Sequence, residues 1–496
     1  MSYICAIDQG TSSSRAMLFD ADLNVIASHQ VAINAYYPNP GWVEQDPQEI
    51  IDSVITVIRE TLREAKLDAK DVLAFAITNQ RETTIVWDKA TGKAVYPAIV
   101  WQSRQSSFYC EDLKTKGFEP FIKKKTGLVI DSYFSASKIR FILDEIENGQ
   151  ERAEAGELAF GTVDTWLVHH LSKGKDFVTD VTNASRTLLM NIEKCEWDPK
   201  LLDIWNIPMN MLPKIVDTAG SLAECDASWF GHAIPIASLV GDQQAALFGQ
   251  LCLEAGEVKN SYGTGCFLLM NTGDKRIESK NGLLTTIAWR RNGKINYALE
   301  GSVFIAGAAI QWLRDGLHFI GSSSECEDKA LSVPSSDGVV VVPAFVGLGA
   351  PYWQSDAKGA IFGLTRGTAD AHIVRATLES LALQTYDVVQ AMQEDSYIKL
   401  TKLQVDGGAS KNDYLMQYQA GILGVDVIRP LIAETTALGA FLLAGLATGM
   451  FKDEQELMAK WRSEKLFKPN MLKTEQSDIL EQWKHAIKAV LKFNDL

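Results

Sequence analysis

Five short polar clusters interrupt apolar runs in this chain, and their residue types suit the handling of phosphate and hydroxyl groups. The first is Asp8-Gln9-Gly10-Thr11-Ser12-Ser13-Ser14-Arg15, set between Ile4–Ile7 and Ala16–Phe19. Its carboxylate can hold a hard cation directly or through water, Gly10 lets backbone approach a ligand, and its hydroxyl and N–H donors form a nest for phosphate oxygens. The others are Arg81-Glu82, Asp242-Gln243, Tyr262-Gly263-Thr264-Gly265, and Asp406–Asn412 with its Gly407-Gly408 pair. Taken singly, each reads equally well as a hairpin turn, an Asx-turn, a helix cap or a surface ion pair. Together they matter because ligands of open α/β sheets sit outside the carboxyl ends of strands.

The elements that must position these clusters follow from hydrophobic periodicity. Ile4–Ile7 and Ala16–Phe19 read as two strands of a hairpin, and Val25–Ile33 as a third, giving an antiparallel meander at a sheet edge. Asp46-Pro47-Gln48-Glu49 is a helix start, and Ile50, Val54, Val57, Ile58, Thr61 and Leu62 then share one face. Leu73–Thr78 is a strand that delivers Arg81-Glu82, with a further strand at Thr83–Trp87. Residues 105–160 read as mostly helical, Thr162–Leu171 as a helix, and 195–235 as loop with short helices. Ile234–Val240 is a strand ending at Asp242, followed by a helix over Ala245–Leu253.

At 256–270 the opening architecture returns as strand, Gly/Thr turn and strand. Helices follow at Val303–Gly316 and 371–392, with a strand at Val339–Phe345. Leu403–Asn412 is a third strand-to-glycine turn, feeding a helix that begins near Asp413. The tail from 452 reads as two surface helices. Two halves, 1–252 and 253–496, are the simplest division.

Composition bounds the class. The chain has 496 residues, 46% hydrophobic and 22% charged, which is too long for one core and ordinary for a globular protein. A formal charge of −14 excludes wholesale binding to nucleic acid or to an anionic membrane, so any phosphate site is local. Seven cysteines without a CxxC pair point away from disulfide frameworks and zinc, and toward a reducing cytoplasm. The N-terminus has no signal-peptide pattern, and Val339–Val346 and Ala437–Met450 fall short of a membrane span. P-loop, protein-kinase, GxGxxG, HExxH and GxSxG motifs are all missing. What remains is a nucleotide held between two Gly/Thr hairpins, with Gly407-Gly408 lying against its base and magnesium near Asp8.

Long strings then carry a resemblance. Asp8–Arg15, Ile77-Thr78-Asn79-Gln80-Arg81-Glu82-Thr83-Thr84, the run from Gly241 to Gln250, Ser261–Cys266, Gly363–Gly367 and Val405–Gly408 resemble the glycerol kinases of the FGGY carbohydrate kinase family. The likeness runs from residue 3 to about 450 and is weakest at 197–233 and in the tail. It implies an α/β fold of two actin-like ATPase domains of the ribonuclease H type, with ATP in the cleft and glycerol buried beneath it. Carried over by matching motif, the nucleotide contacts are Thr11, Ser12, Ser13, Arg15, Thr264, Gly307, Gln311, Gly408 and Asn412. The glycerol contacts are Arg81, Glu82, Tyr133, Asp242 and Gln243, with Trp101 and Phe267 as apolar walls, and magnesium stands at Asp8. The resemblance also implies a homo-oligomer, dimer or tetramer, without nucleic-acid partners or membrane insertion.

The chemistry agrees with that assignment. Each hydroxyl of a polyol both donates and accepts, so donor-only Arg81 beside acceptor-only Glu82 can satisfy neighbouring hydroxyls. Asp242 suits the role of general base, although positioning and charge neutralisation dominate phosphoryl transfer. Rival readings are a xylulose- or gluconate-type sugar kinase, and an actin- or chaperone-like ATPase without a small acceptor. Some positions depart from the family pattern. Ser132 precedes Tyr133 where many relatives have proline, and Phe141 replaces a tryptophan. Ala227–Ala233 lacks the basic loop that binds fructose 1,6-bisphosphate in some bacterial relatives. Ser228, with His232 four residues on, stands where others carry a phosphorylatable histidine. Neither form of regulation is expected.

Overall fold

The computed structural model describes residues 2–354 and 356–494. Its centre is a 13-stranded mixed sheet in which the same five-strand arrangement occurs twice. In the first, Tyr3–Gln9 pairs antiparallel with Ser13–Phe19, which pairs antiparallel with Val25–Ala32 at the sheet edge. On its other side Tyr3–Gln9 runs parallel to Val72–Asn79, which runs parallel to Ile234–Gly241. In the second, Glu257–Tyr262 and Cys266–Gly273 form the hairpin, and Lys294–Val303 completes the meander. Lys402–Gly407 and Asp426–Pro430 supply the parallel strands. The two arrangements join through Ala219–Cys225 and Leu284–Arg291, which share one register pair, Ala219 with Arg291.

Local sequence explains the elements around this sheet. The helix Pro47–Ala65 begins where Asp46 accepts a hydrogen bond from the Gln48 N–H at 2.8 Å and proline occupies the first position. Lys66 ends it in the left-handed region at φ 56°. Its face of Ile50, Ile51, Val54, Ile55, Val57, Ile58 and Leu62 is buried, each such side chain worth about 1.5–3 kcal/mol relative to exposure.

The helix Thr435–Thr448 is buried on nearly every side, and Phe441 stacks on Phe19 with ring centroids 4.6 Å apart. It touches the helix Asp242–Gly249 backbone to backbone. A Cβ on Gly439 would lie 1.8 Å from the Ala245 carbonyl oxygen, and one on Gly249 would lie 2.1 Å from that of Thr435. Only glycine permits that approach. No described helix is long and apolar enough to cross a membrane. All seven cysteines are buried and free.

Several sequence expectations shift. The helix expected over Ala245–Leu253 occupies Asp242–Gly249, so Asp242 is its first residue and Gly241 its N-cap. The segment read as loop, 195–235, contains the sheet strand Ala219–Cys225, whose mixed burial hides any alternation. Val303 closes a strand, and the helix begins only at Gly307. The strand after Arg81-Glu82 lies at Ile85–Asp88 and pairs with Leu158–Gly161 outside the main sheet. The tail is not two surface helices alone. Ser463–Phe467 extends the sheet edge beside Asp426–Pro430, and the last helix, Lys473–Asn494, buries Trp483.

Candidate active site

Hairpin register places the first cluster. Asp8 pairs across to Arg15 and sideways to Thr78, so its carboxylate leaves the last turn of a buried strand. The turn closes with the Gly10 N–H donating to the Ser13 carbonyl at 2.9 Å. Buried amides brace it from below. Gln80 donates to the Gly10 carbonyl at 3.3 Å and to Gln45 at 2.9 Å, and Gln45 donates to the Thr11 carbonyl at 2.6 Å. Burial, with Asp242 nearby, pushes the Asp8 carboxyl up to about 7 against the pull of Arg15. Two carboxylates therefore face one region. Among the described residues no three or more His, Cys, Asp or Glu side chains form a metal cage. One or two carboxylates completed by phosphate and water is how magnesium is usually held, so the donor set fits it.

The second hairpin sits directly on a helix start. The Ala306 N–H donates to the Thr264 carbonyl at 2.8 Å, and the Gly307 N–H to that of Gly263 at 3.0 Å. A Cβ on Gly307 would lie 2.6 Å from the Gly263 oxygen, which excludes other residues there. Gln311 follows one helical turn later on the exposed side. Gly407 adopts φ 86° hard against Tyr262, whereas Gly408 faces open space and leaves a flat ledge. Asn412 spends its Oδ1 capping the helix Asp413–Leu423 through the Leu415 N–H at 2.8 Å. Arg15 bonds Gln30 at 2.5 Å and reaches across to Glu434 at 3.3 Å.

Arg81 and Glu82 are buried, not a surface pair; each side chain is 2% exposed. Arg81 directs Nη1 to Glu300 at 2.6 Å and to Gln244 at 3.2 Å, Nε toward Asp242 at 3.3 Å, and Nη2 toward the Tyr133 hydroxyl at 3.5 Å. Gly241 makes room for this, since a Cβ there would lie 2.8 Å from the arginine chain. Glu82 has φ 61°, a left-handed conformation that costs on the order of 1–3 kcal/mol for a non-glycine residue. Its carbonyl is fixed by Thr84 Oγ1 at 3.0 Å, Ser135 Oγ at 3.1 Å and Lys138 Nζ at 3.4 Å. Lys138 also donates to the carbonyls of Tyr133 at 2.5 Å and Phe134 at 3.3 Å, so one buried ammonium shapes both the glutamate turn and the tyrosine loop. Burial lowers that ammonium to about 7.

Trp101 meets Tyr133 edge-on, with ring centroids 5.6 Å apart. Phe267 shares a sheet face with Lys259, Ser261 and Glu300, because its register partners are Ser261 and Ser302 and strand side chains alternate. Gln243 accepts from the Lys259 ammonium through Oε1, which turns its amide N–H₂ away from the lysine. Burial brings Lys259 down to about 8. Asp242 pairs with the buried Arg81 through Nε at 3.3 Å but keeps its side chain 31% exposed, unlike Glu82 and Glu300.

Residues of this site not singled out from sequence include Arg186, Glu300, Lys259, Gln244 and Lys138. Only Glu300 stands as a lone charge in a small and apolar string, Tyr297-Ala298-Leu299-Glu300-Gly301, and that string does not say which groups it meets. Glu300 is held at about 2. Burial would raise it, but Arg186 and Arg81 more than offset that.

Comparison with known proteins agrees with this arrangement. Residues 3–249 match the N-terminal domain, and residues 258–448 the C-terminal domain, of the FGGY family of carbohydrate kinases. The chain is 55% identical over 492 residues to a glycerol kinase of Geobacillus sp. (strain WCH70), covering 99% of both chains. The crystal structure of Plasmodium falciparum glycerol kinase with ADP superposes with a TM-score of 0.94 at 36% identity, covering 99% of this chain and 98% of that one. A ligand-bound xylulose kinase from Lactobacillus acidophilus shares the fold, with a TM-score of 0.88 at 22% identity over 99% and 98% of the two chains. With the strand-and-hairpin arrangement occurring twice in the sheet and both family domains matched along it, the chain belongs to the FGGY family of carbohydrate kinases.

Proposed function

We propose that the protein transfers the terminal phosphoryl group of ATP to glycerol, giving sn-glycerol 3-phosphate at the entry to glycerol catabolism. The observation that carries this reading is the buried Arg81–Glu82 pair beside Asp242. Glu82 Oε1 is taken by Arg186, while Oε2 has no hydrogen-bond partner among the described residues and is free to accept from a hydroxyl. Arg81 donates to the same hydroxyl or its neighbour, Tyr133 and Gln243 address the rest of the polyol, and Trp101 and Phe267 cover its C–H face. A longer sugar has to clear the same aromatic walls. Asp242 takes the proton of the attacking hydroxyl, held by the Arg81 Nε contact at 3.3 Å.

The hydroxyl turn Thr11–Ser13, Arg15 and Thr264 are the proposed contacts of the nucleotide phosphates. Gly307, Gln311, Gly408 and Asn412 are those of its adenosine end. Arg15 exchanges Glu434 for phosphate in this reading. Asp8 holds magnesium, which when bound neutralises phosphate charge. The division at 252/253, a cytoplasmic location and assembly as a homo-oligomer belong to the same proposal.

The test is ADP release, coupled to a reporter, over a panel of polyols and sugars. Turnover that is fast with glycerol and negligible without an acceptor is expected. Strong turnover with a pentulose or gluconate but none with glycerol would overturn the substrate. Steady ATP hydrolysis in the absence of any acceptor would overturn the kinase reading in favour of a conformational ATPase.

A further inference from the structure

Beneath Arg81 and Glu82 lies a second arginine–carboxylate pair drawn from distant parts of the chain. Arg186 follows the short helix Val181–Ala184, and Glu300 sits within the strand Lys294–Val303. Their side chains are 0% and 3% exposed. Arg186 donates from Nε to Glu82 Oε1 at 2.6 Å and from Nη2 to Glu300 Oε1 at 2.7 Å. Arg81 Nη1 donates to Glu300 Oε2 at 2.6 Å, and Arg81 Nε lies 3.8 Å from Glu82 Oε1. The four side chains thus form a closed circuit of alternating charge. Each guanidinium touches both carboxylates. The third arm of Arg186, Nη1, is buried without a partner, and the guanidinium lies 5.6 and 5.2 Å from the ring centroids of Tyr133 and Phe134. No part of Arg186 is exposed at the cleft, so it acts through its neighbours.

We propose that Arg186, with Glu300, is a positioning residue that fixes Arg81 and Glu82 as donor beside acceptor and so sets the hydroxyl specificity of the polyol site. The proposal rests on the reading that Glu82 binds the polyol. The groups facing Glu82 are Arg81, Arg186, Glu300 and Tyr133, with the Lys138 ammonium on its carbonyl, and Asp242 faces Arg81. Burial already raises the Glu82 carboxyl, against the two guanidiniums. Without Arg186, two buried carboxylates share the single guanidinium of Arg81. A buried carboxylate short of a partner relieves itself by taking a proton. Protonated Glu82 would donate where the site needs an acceptor, and the polyol would meet two donors side by side.

The experiment measures glycerol KM and kcat from pH 6 to 9 for the wild type, Arg186→Met and Arg186→Lys, with melting temperatures alongside. In Arg186→Met, glycerol KM is expected to rise roughly 10- to 100-fold at neutral pH, as when a charge-assisted hydrogen bond is lost, and to fall as pH increases. ATP KM is expected to stay near the wild-type value. Arg186→Lys restores the charge without the fork, so it returns KM to the wild-type pH profile but not to full affinity. A glycerol KM in Arg186→Met that is unchanged, or raised equally at every pH, overturns the proposal.

If Arg186→Met does not fold, Glu300→Gln decides. It leaves Glu82 as the sole carboxylate between two guanidiniums, so its glycerol KM should not vary with pH, and a KM that falls with rising pH overturns the proposal. Glu82→Gln tests the underlying reading separately: a wild-type glycerol KM in that variant removes Glu82 from the polyol site whatever Arg186 does.

Discussion

The Trp101 indole N–H donates to Thr11 Oγ1 at 2.9 Å, tying the proposed aromatic wall of the polyol site to the turn proposed to hold phosphate. One hydroxyl thus serves two sites, and Thr11→Val should expose the link. Loss of a neutral hydrogen bond is worth about 0.5–1.5 kcal/mol, so glycerol KM should rise about 2- to 10-fold even though Thr11 lies on the phosphate turn. Steady-state titration of glycerol at saturating ATP checks this, and an effect confined to ATP KM would separate the two sites.

Asp242 begins a helix, leans on Arg81 and stays partly open to the cleft. Asp242→Asn keeps the shape and removes the proposed base. A loss of about 10²–10⁴ in kcat is expected, with glycerol still binding by calorimetry. Near-normal turnover would assign proton removal elsewhere.

Gly307 packs against the Gly263 carbonyl with no room for a methyl group. Gly307→Ala should push the second hairpin off the helix start, destabilising the fold by about 1–3 kcal/mol and raising ATP KM while glycerol KM changes little. Chemical denaturation and ATP titration on the same preparation measure both effects.

Lys138 predicts a pH signature in stability. Its proton is held up to about pH 10 in the unfolded chain but only to about 7 in the folded one, because burial disfavours the charge. Between those values the unfolded state binds more protons, so stability climbs with pH and is lost as pH falls toward 7. Lys138→Met lacks that climb. Melting temperatures from pH 7 to 10 should therefore rise more in the wild type than in the variant, and parallel profiles would show an ordinary lysine.

Much of the scaffold was legible because its signals are local. The Asp46-Pro47 cap, the apolar face of the helix it starts, and the strand-turn-strand repeats at residues 3–19 and 257–273 are written in consecutive residues. Gln311 was reached through the family strings alone, since an exposed helix glutamine has no distinguishing pattern, whereas Gly408 was already marked by the Gly407-Gly408 pair at a strand end. Arg186 and Glu300 were missed because their meaning lies in a circuit closed over 104, 114 and 219 residues of separation, which no local pattern encodes. Ala219–Cys225 was missed for a different reason. It is a sheet strand whose register with Ile234–Gly241 shifts between Ala219 and Ala223, and that irregularity breaks the alternation of its burial.

The bare contact of Gly249 and Gly439 has a mechanical consequence. Two helices that meet backbone to backbone at this point are held at a fixed, short separation, with the apolar side chains of both packed into one cluster around it. One helix starts at Asp242 and the other follows Glu434, which pairs with Arg15 of the first hairpin. A bulkier residue at either glycine therefore displaces both the helix that begins with the proposed base and the helix that follows the partner of the proposed phosphate-side arginine.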